Sequence, residues 1–279
     1  MENLDKDIQK ILSKLKDIDS NFQEKTVWKV EDFYFNGNVV MRLSRDGLLK
    51  VKKNKVLHIP KKNRKGEKVL KIGKSAFNNL GLTAVIIPEG IVKIGEEAFL
   101  GNKLEYVSLP ESLIYIERDA FYYNKIKHIE LPRNLKSIQA SAFSNNLIEE
   151  INLPDSLESL GNCAFAENKL KEVAIPKNIK RLKDGTFKKN LLEKVSFPYG
   201  LEEILYEAFS LNCLTEVTIP DTVKKLSNYC FKNNIDIHDF EKVTVNVNIV
   251  DSSGTYSNPY RLSDGESFEI ARNKGDSDE

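Results

Sequence analysis

The stretch Val85-Ile86-Ile87-Pro88-Glu89-Gly90-Ile91-Val92-Lys93-Ile94-Gly95-Glu96-Glu97-Ala98-Phe99-Leu100-Gly101-Asn102 decides the architecture, because its landmarks return in one constant step along the chain. Phenylalanine recurs at Phe77, Phe99, Phe121, Phe143, Phe165, Phe187, Phe209 and Phe231. Proline recurs from Pro88 to Pro220, and asparagine from Asn102 to Asn234, in that same step. Apolar combs (Val85, Val107, Ile129, Ile151, Val173, Val195, Val217; Ile72, Ile94, Ile116, Ile138, Leu160, Leu182, Ile204, Leu226) complete the unit L-x-x-V-x-I-P-x-x-L-x-x-I-x-x-x-A-F-x-x-N-x over residues 69–234. A unit this short cannot bury its own apolar face. It must stack on copies of itself, so the period implies a solenoid.

Each comb has a physical reason. Val and Ile before the proline alternate inward and outward as in a short strand, and stacking lays these strands into a parallel sheet about 4.8 Å apart. Proline has no N–H, so it ends the ladder at a fixed place in each coil and rules out a continuous amphipathic helix. Turn formers follow it (Glu111-Ser112, Asp155-Ser156, Lys177-Asn178, Asp221-Thr222). Leu-x-x-Ile returns two side chains to the core, and x-x-x-Ala-Phe is expected to make one helical turn with Phe filling the interior. Glycine after the second apolar comb occurs only at Gly73, Gly95 and Gly161, so no positive φ is demanded there. The Asn amide both donates and accepts, which suits it to cap buried backbone groups at a coil corner.

The wording V-x-I-P…I-G-x-x-A-F-x-x-N, complete from Val85 to Asn102, resembles the BspA-like (Treponema-type) leucine-rich repeats. The resemblance implies a right-handed leucine-rich-repeat solenoid with a parallel β-sheet on one face, short second strands and helical turns on the other, and β-rich caps at both ends. It implies adhesion or protein binding, on bacterial or protist surfaces, and no enzyme activity or cofactor.

A net charge of +1 supplies no global field to recruit nucleic acid or membrane. No run approaches the length of apolar chain that spans a bilayer, so membrane insertion is not expected. The segment 1–25 is charged throughout and offers no secretory apolar region. The resemblance points to a cell surface, whereas this composition leaves a cytoplasmic chain or a piece of a longer one open. Cys163, Cys213 and Cys230 form no paired framework and no C-x-x-C; beside or within the small-residue slot before Phe, Cys163 and Cys230 read as buried free thiols. His58, His128 and His238 are too scattered for a metal site, and no phosphate-loop, zinc-protease or serine-elbow motif is present.

The flanks divide the chain further. Leu4, Ile8, Ile11, Leu15, Ile18 and Phe22 give residues 1–25 an amphipathic helical stripe that lies on the first coil or is mobile, or else serves as a self-association stalk or ends a preceding domain. Residues 26–68 read as a β-rich N-terminal cap, with strands at 27–30, 33–35, 39–43, 48–51 and 56–59 and turns at Asn36-Gly37-Asn38 and Arg45-Asp46-Gly47. Pro60 stands further ahead of Pro88 than Pro88 stands ahead of Pro110, so an insertion sits at 61–68. Alternating Val243, Val245, Val247 and Ile249, followed by a return at 256–262, reads as a C-terminal β cap over 235–272, with a disordered tail at 273–279.

Function must come from solvent-facing positions that vary between coils. The column Thr83, Glu105, Lys127, Glu149, Lys171, Glu193, Thr215 alternates in charge, which reads as self-satisfied cross-strand pairing. The adjacent column Ala84, Tyr106, His128, Glu150, Glu172, Lys194, Glu216 makes Tyr106 and His128 neighbours. With Tyr115, Tyr122 and Tyr123, some of which fall on other faces, these residues and Glu150 and Glu172 form the candidate site for a protein on a host or neighbouring bacterial cell. Stacked Glu150 and Glu172 on an open sheet lack the cleft that acid–base chemistry needs.

A second class of function rests on residues 50–74, which hold eleven Lys or Arg against Glu67 alone. Lys50, Lys52, Lys53, Lys55, Lys61, Lys62, Arg64 and Lys65 are candidates for binding a polyanion, a glycan or a cell-wall polymer. Lysine-rich edges also prevent strand stacking without any ligand. No aromatic residue interleaves the cluster, which disfavours nucleic acid. A third class is a structural spacer or an oligomer built by residues 1–25.

Overall fold

The computed structural model describes residues 28–227, 229–235, 242–243, 245–250, 256–261 and 268–269. The stripe at 1–25, His238 and the tail at 273–279 lie outside the described residues. The chain winds through short parallel strands that stack coil upon coil into two sheets. The first sheet collects the segments before proline: Ala84–Ile86 pairs with Tyr106–Ser108, Glu172–Ala174 with Lys194–Ser196, and Glu216–Pro220 with Asn246–Val250. The second collects the Leu-x-x-Ile segments from Lys71–Ile72 to Ser159–Leu160, and again from Arg181–Leu182 to Lys225–Leu226. In-register partners occupy the same comb position, as in Ile72↔Ile94, Ile94↔Ile116 and Ile116↔Ile138.

Between the sheets runs the core. The eight phenylalanines form one continuous stack from Phe77 to Phe231, with ring centroids 5.2–5.8 Å apart and planes within 22° of parallel. Phe77 to Phe209 are fully buried. Offset stacking is a favoured aromatic geometry, so each step adds about 0.5–1.5 kcal/mol beyond area burial.

The segment around Ala-Phe differs from the expected helical turn. Ala98 N–H turns back to Gly95 O and Leu100 N–H to Glu97 O, while Glu97, Phe99 and Gly101 N–H cross to Arg118, Ala120 and Tyr122 of the next coil. The same alternation repeats from Ser75 to Lys232. It requires two left-handed residues per coil: Ser75, Glu97, Asp119, Ser141, Cys163, Gly185, Glu207 and Tyr229, then Asn79, Gly101, Tyr123, Asn145, Glu167, Lys189, Leu211 and Asn233. A helix would direct every N–H along its own axis; alternating handedness frees every second one to bind a neighbour. The coils thus gain a third ladder.

The asparagine comb does what its amide allows. Asn146 Nδ2 donates to Phe121 O (2.9 Å) and Phe143 O (3.1 Å), and its Oδ1 accepts from Ile126 N–H (3.1 Å). Asn102, Asn124, Asn168, Asn190, Asn212 and Asn234 repeat this arrangement. Proline also does more than end a strand: each carbonyl from Pro88 to Pro220 accepts the N–H three positions on and so starts the following turn. Ser112, Ser156 and Thr222 tie that turn to the preceding coil through Ile91 O, Leu135 O and Leu201 O. Pro220 itself sits within a strand, opposite Val250.

At the N-terminal side, β1 (Phe33–Asn36) and β2 (Val39–Leu43) form an antiparallel hairpin whose second strand continues the second sheet through Val40↔Ile72. The strand expected at 48–51 is instead helix α1 (Arg45–Val51). Ser44 Oγ caps it by accepting Gly47 N–H (3.2 Å), and Gly47 permits close approach, since a Cβ there would lie 2.3 Å from Asp32 O. The Arg45-Asp46-Gly47 signal therefore marks a helix start rather than a hairpin turn. β3 (Val56–His58) pairs with Ala84–Ile86 as a first-sheet strand. The strand expected over Val243, Val245, Val247 and Ile249 is observed at Asn246–Val250, with Tyr256–Arg261 antiparallel beside it.

Candidate interaction surface

The outward positions of the first sheet fall where alternation puts them. Val85, Val107, Val173 and Val217 point inward and are buried, while His128, Glu150, Glu172, Lys194 and Glu216 are exposed. Ala84 lies beside Tyr106 and His128 bridges Glu150. Tyr106 is only half-exposed: it packs on Val56 and Ala84, so much of its ring covers neighbours.

The other candidate tyrosines do not join this face. Tyr115 pairs between Lys93 and Ser137 in the second sheet. Tyr122 and Tyr123 stand at the turn corner with their rings 6.3 Å apart. Tyr123, at a left-handed position, is 63% exposed. The candidates lie close together along the chain, but the fold distributes them over three faces. The group that stays together is Tyr106, His128, Glu150 and Glu172, continued by Lys194.

The ladder beneath this group is interrupted. Ile59, Ile87 and Ile175 donate to Ile86 O, Ser108 O and Ser196 O of the next coil, but among the described residues the N–H groups of Leu109, Leu131 and Leu153 find no such carbonyl. The coils carrying His128 and Glu150 contribute a single bridge in place of strands. Leu109, Leu131 and Leu153 are accordingly half-buried, where Ile87 and Ile175 are buried. A shallow depression of about 240 Å³ opens beside this break, lined by Ile151, Asn152, Leu153, Glu172, Val173, Ala174, Lys194 and Ser196. Sequence reasoning missed Asn152 and Ser196; they stand two positions beyond the chosen column, on the same outward side.

Charge separates the faces. The alternating column Glu105, Lys127, Glu149, Lys171, Glu193 forms no ion pair within 4 Å among the described residues, contrary to the self-satisfied reading; neither do Glu150, Glu172 and Lys194. Fully solvated charges gain little by pairing, and the side-chain entropy opposes it. Pairs do form on the second sheet and the turn corners: Lys93–Glu117, Lys136–Glu158, Arg181–Glu203, Lys189–Glu167, and the Lys74–Glu96–Arg118 set. Hydrogen bonds from Arg118 and Lys74 hold the Glu96 carboxyl below its usual range.

The basic segment is also partitioned. Lys50 is paired with Asp32 and lies over Trp28. Lys55 donates to Leu80 O (3.1 Å), and Arg64 donates to Glu31 O and Phe33 O (3.0 Å each) while lying against Tyr34. These three hold the fold together. Lys52, Lys53, Lys61, Lys62 and Lys65 are exposed. Of the thiols, Cys213 and Cys230 are buried, but Cys163, expected buried, is half-exposed at a left-handed turn position.

The BspA type leucine-rich repeat region matches as a family over residues 61–166 and 115–238, in six copies. Among solved structures, a leucine-rich repeat protein from Bacteroides ovatus superposes with a TM-score of 0.56 at 24% identity, covering 81% of this chain and 71% of its own. The Treponema pallidum leucine-rich repeat protein gives 0.55 at 25% identity, covering 67% and 89%. Comparison with curated protein sequences gave no match. Repeats of this kind are in general non-enzymatic and mediate protein–protein interactions. No helix among the described residues is long and apolar enough to cross a membrane. With well over half of its length matched by the repeat and its coils stacked as in these solved structures, the chain belongs to the BspA-type leucine-rich repeat family.

Proposed function

We propose that the chain is a protein-binding module of the adhesin kind, without catalytic activity, whose first-sheet face around His128, Glu150, Glu172 and Lys194 receives a protein on a host or neighbouring bacterial cell. The observation that carries this reading is the contrast in charge satisfaction: ion pairs occupy the second sheet and the turn corners, while Glu150, Glu172 and Lys194 of the first sheet are exposed and form no ion pair among the described residues. Unpaired charges beside half-buried Leu131 and Leu153 offer both orientation and apolar area to a partner. Rigidity comes from below, since the phenylalanine stack and asparagine ladder fix the strands that present the side chains.

The test compares two pairs of substitutions with equal change of charge. Glu150→Gln with Glu172→Gln alters the proposed face; Glu158→Gln with Glu167→Gln alters the second sheet and a turn corner. Capture of a specific surface protein from host or bacterial extracts is expected to fail with the first pair and persist with the second. Equal capture by both would remove this face from consideration. Tyr106→Ala is a poor probe, because it uncovers Val56 and Ala84.

A further inference from the structure

The insertion at 61–68 is surplus to the solenoid, for Pro60 and Pro88 stand further apart than any later pair of the proline comb. It is nevertheless built with care. Asn63 is 7% exposed; its Oδ1 accepts from Lys65 N–H (2.9 Å) and Glu67 N–H (3.0 Å), and its Nδ2 donates to Glu67 Oε2 (2.7 Å). The same Nδ2 donates to Gly37 O (2.9 Å) and so fastens the insertion to the turn between β1 and β2. Gly66 N–H closes the turn on Asn63 O, and Val69 N–H returns to Lys61 O.

On this rigid hairpin, Lys62 and Lys68 face each other across an antiparallel bridge. Like charges directly opposite are destabilising, and nothing in the solenoid requires them. Lys61, Lys65 and Lys68 are exposed as well, and none of these four lysines has an ion pair within 4 Å among the described residues. Glu67, the one acid of the loop, is turned to Asn63. The hairpin therefore concentrates unneutralised positive charge on a backbone that cannot spread it apart.

We propose that this hairpin is a second binding site, distinct from the first-sheet face, for an anionic polysaccharide bearing sulfate or phosphate esters. Spaced anions on a polymer relieve the Lys62–Lys68 repulsion and reach Lys61 and Lys65 together, without a pocket. Nucleic acid fits less well: Tyr34, which borders the cluster at Arg64, is already engaged by Arg42 and Arg64 and offers no free ring to a base.

The experiment measures binding of the full chain to heparin, to a phosphomannan and to duplex DNA across a salt series. Heparin and the phosphate polymer separate the sulfate and phosphate sources. The variant Lys62→Gln, Lys65→Gln, Lys68→Gln is expected to weaken polysaccharide binding by about tenfold or more at about 0.15 M salt and to lower the log–log salt slope by about two to three. The control Lys125→Gln, Lys127→Gln, Lys171→Gln removes the same charge from exposed positions of the repeat and is expected to bind as the unaltered chain does. All six positions are exposed, so a loss of fold does not confound the comparison. Lys68→Gln alone is expected to raise the thermal midpoint without ligand. Equal loss in both triple variants, no loss in the hairpin variant, no binding to either polysaccharide, or tighter binding to DNA would each overturn the proposal.

Discussion

At the scale of single residues, the repeat is held by groups whose loss leaves unfilled space or unpaired polar atoms. Phe121 is fully buried with a ring 5.2 Å away on each side, so Phe121→Ala is expected to cost about 3–5 kcal/mol, read as a shift in urea midpoint at constant slope. Phe231, 5% exposed and stacked on one side among the described residues, should cost less. Asn146→Ala orphans the buried Ile126 N–H, at about 1–3 kcal/mol, and leaves Phe121 O and Phe143 O with one donor each, Asn124 Nδ2 and Asn168 Nδ2, while Asn146→Asp adds repulsion against those carbonyls. The buried thiol of Cys230 occupies the slot that alanine fills in most coils, and burial pushes it up to about 12 from 9.0. Raised in the folded state, the thiol ionises first when unfolded, so stability falls as pH rises from about 9 toward 12. Cys230→Ala should flatten that part of the stability–pH profile.

At the scale of elements, what could be read from the chain depended on whether the physics is carried by side chains or by backbone. The apolar combs and the dual amide of Asn announce the two sheets and the corner cap, because their chemistry has one use at that spacing. The turn ladder gives no such sign: its left-handed positions hold Glu97, Asp119, Cys163, Lys189, Leu211 and Tyr229 rather than glycine. Cooperation between coils holds those residues at a cost of about 1–2 kcal/mol each. Leu211, exposed and at φ 56°, is therefore a site where Leu211→Gly should stabilise by up to about 1 kcal/mol, whereas Gly161→Ala should destabilise, its Cβ falling 2.2 Å from Ala140 N. Thermal midpoints of the two variants check the sign. In α1, Ser44 was the informative residue and Gly47 the misleading one, since glycine there serves a tertiary contact. The candidate face was legible as a column of varying residues. Its missing ion pairs and its opened strands were not, because both depend on distances between coils.

For the whole molecule, continuity lies in the turn ladder, which runs unbroken through the coils where the first sheet opens after Ser108 and the second is interrupted between Leu160 and Arg181. A solenoid supported mainly along one corner should tolerate loss of a full period and not of a partial one. Excising residues 139–160 joins Ile138 to Gly161, brings Phe121 onto Phe165 and preserves each comb; excising 139–157 breaks all of them. The first deletion is expected to unfold cooperatively in urea with a slope reduced in proportion to the shorter chain, the second to lose the transition. The full-period deletion also removes Glu150 and sets His128 next to Glu172, so it should abolish partner capture while leaving the hairpin's heparin binding unchanged. That separation would assign the two surfaces to independent parts of one spine; joint loss would mean that the spine does not transmit its order past the missing coil.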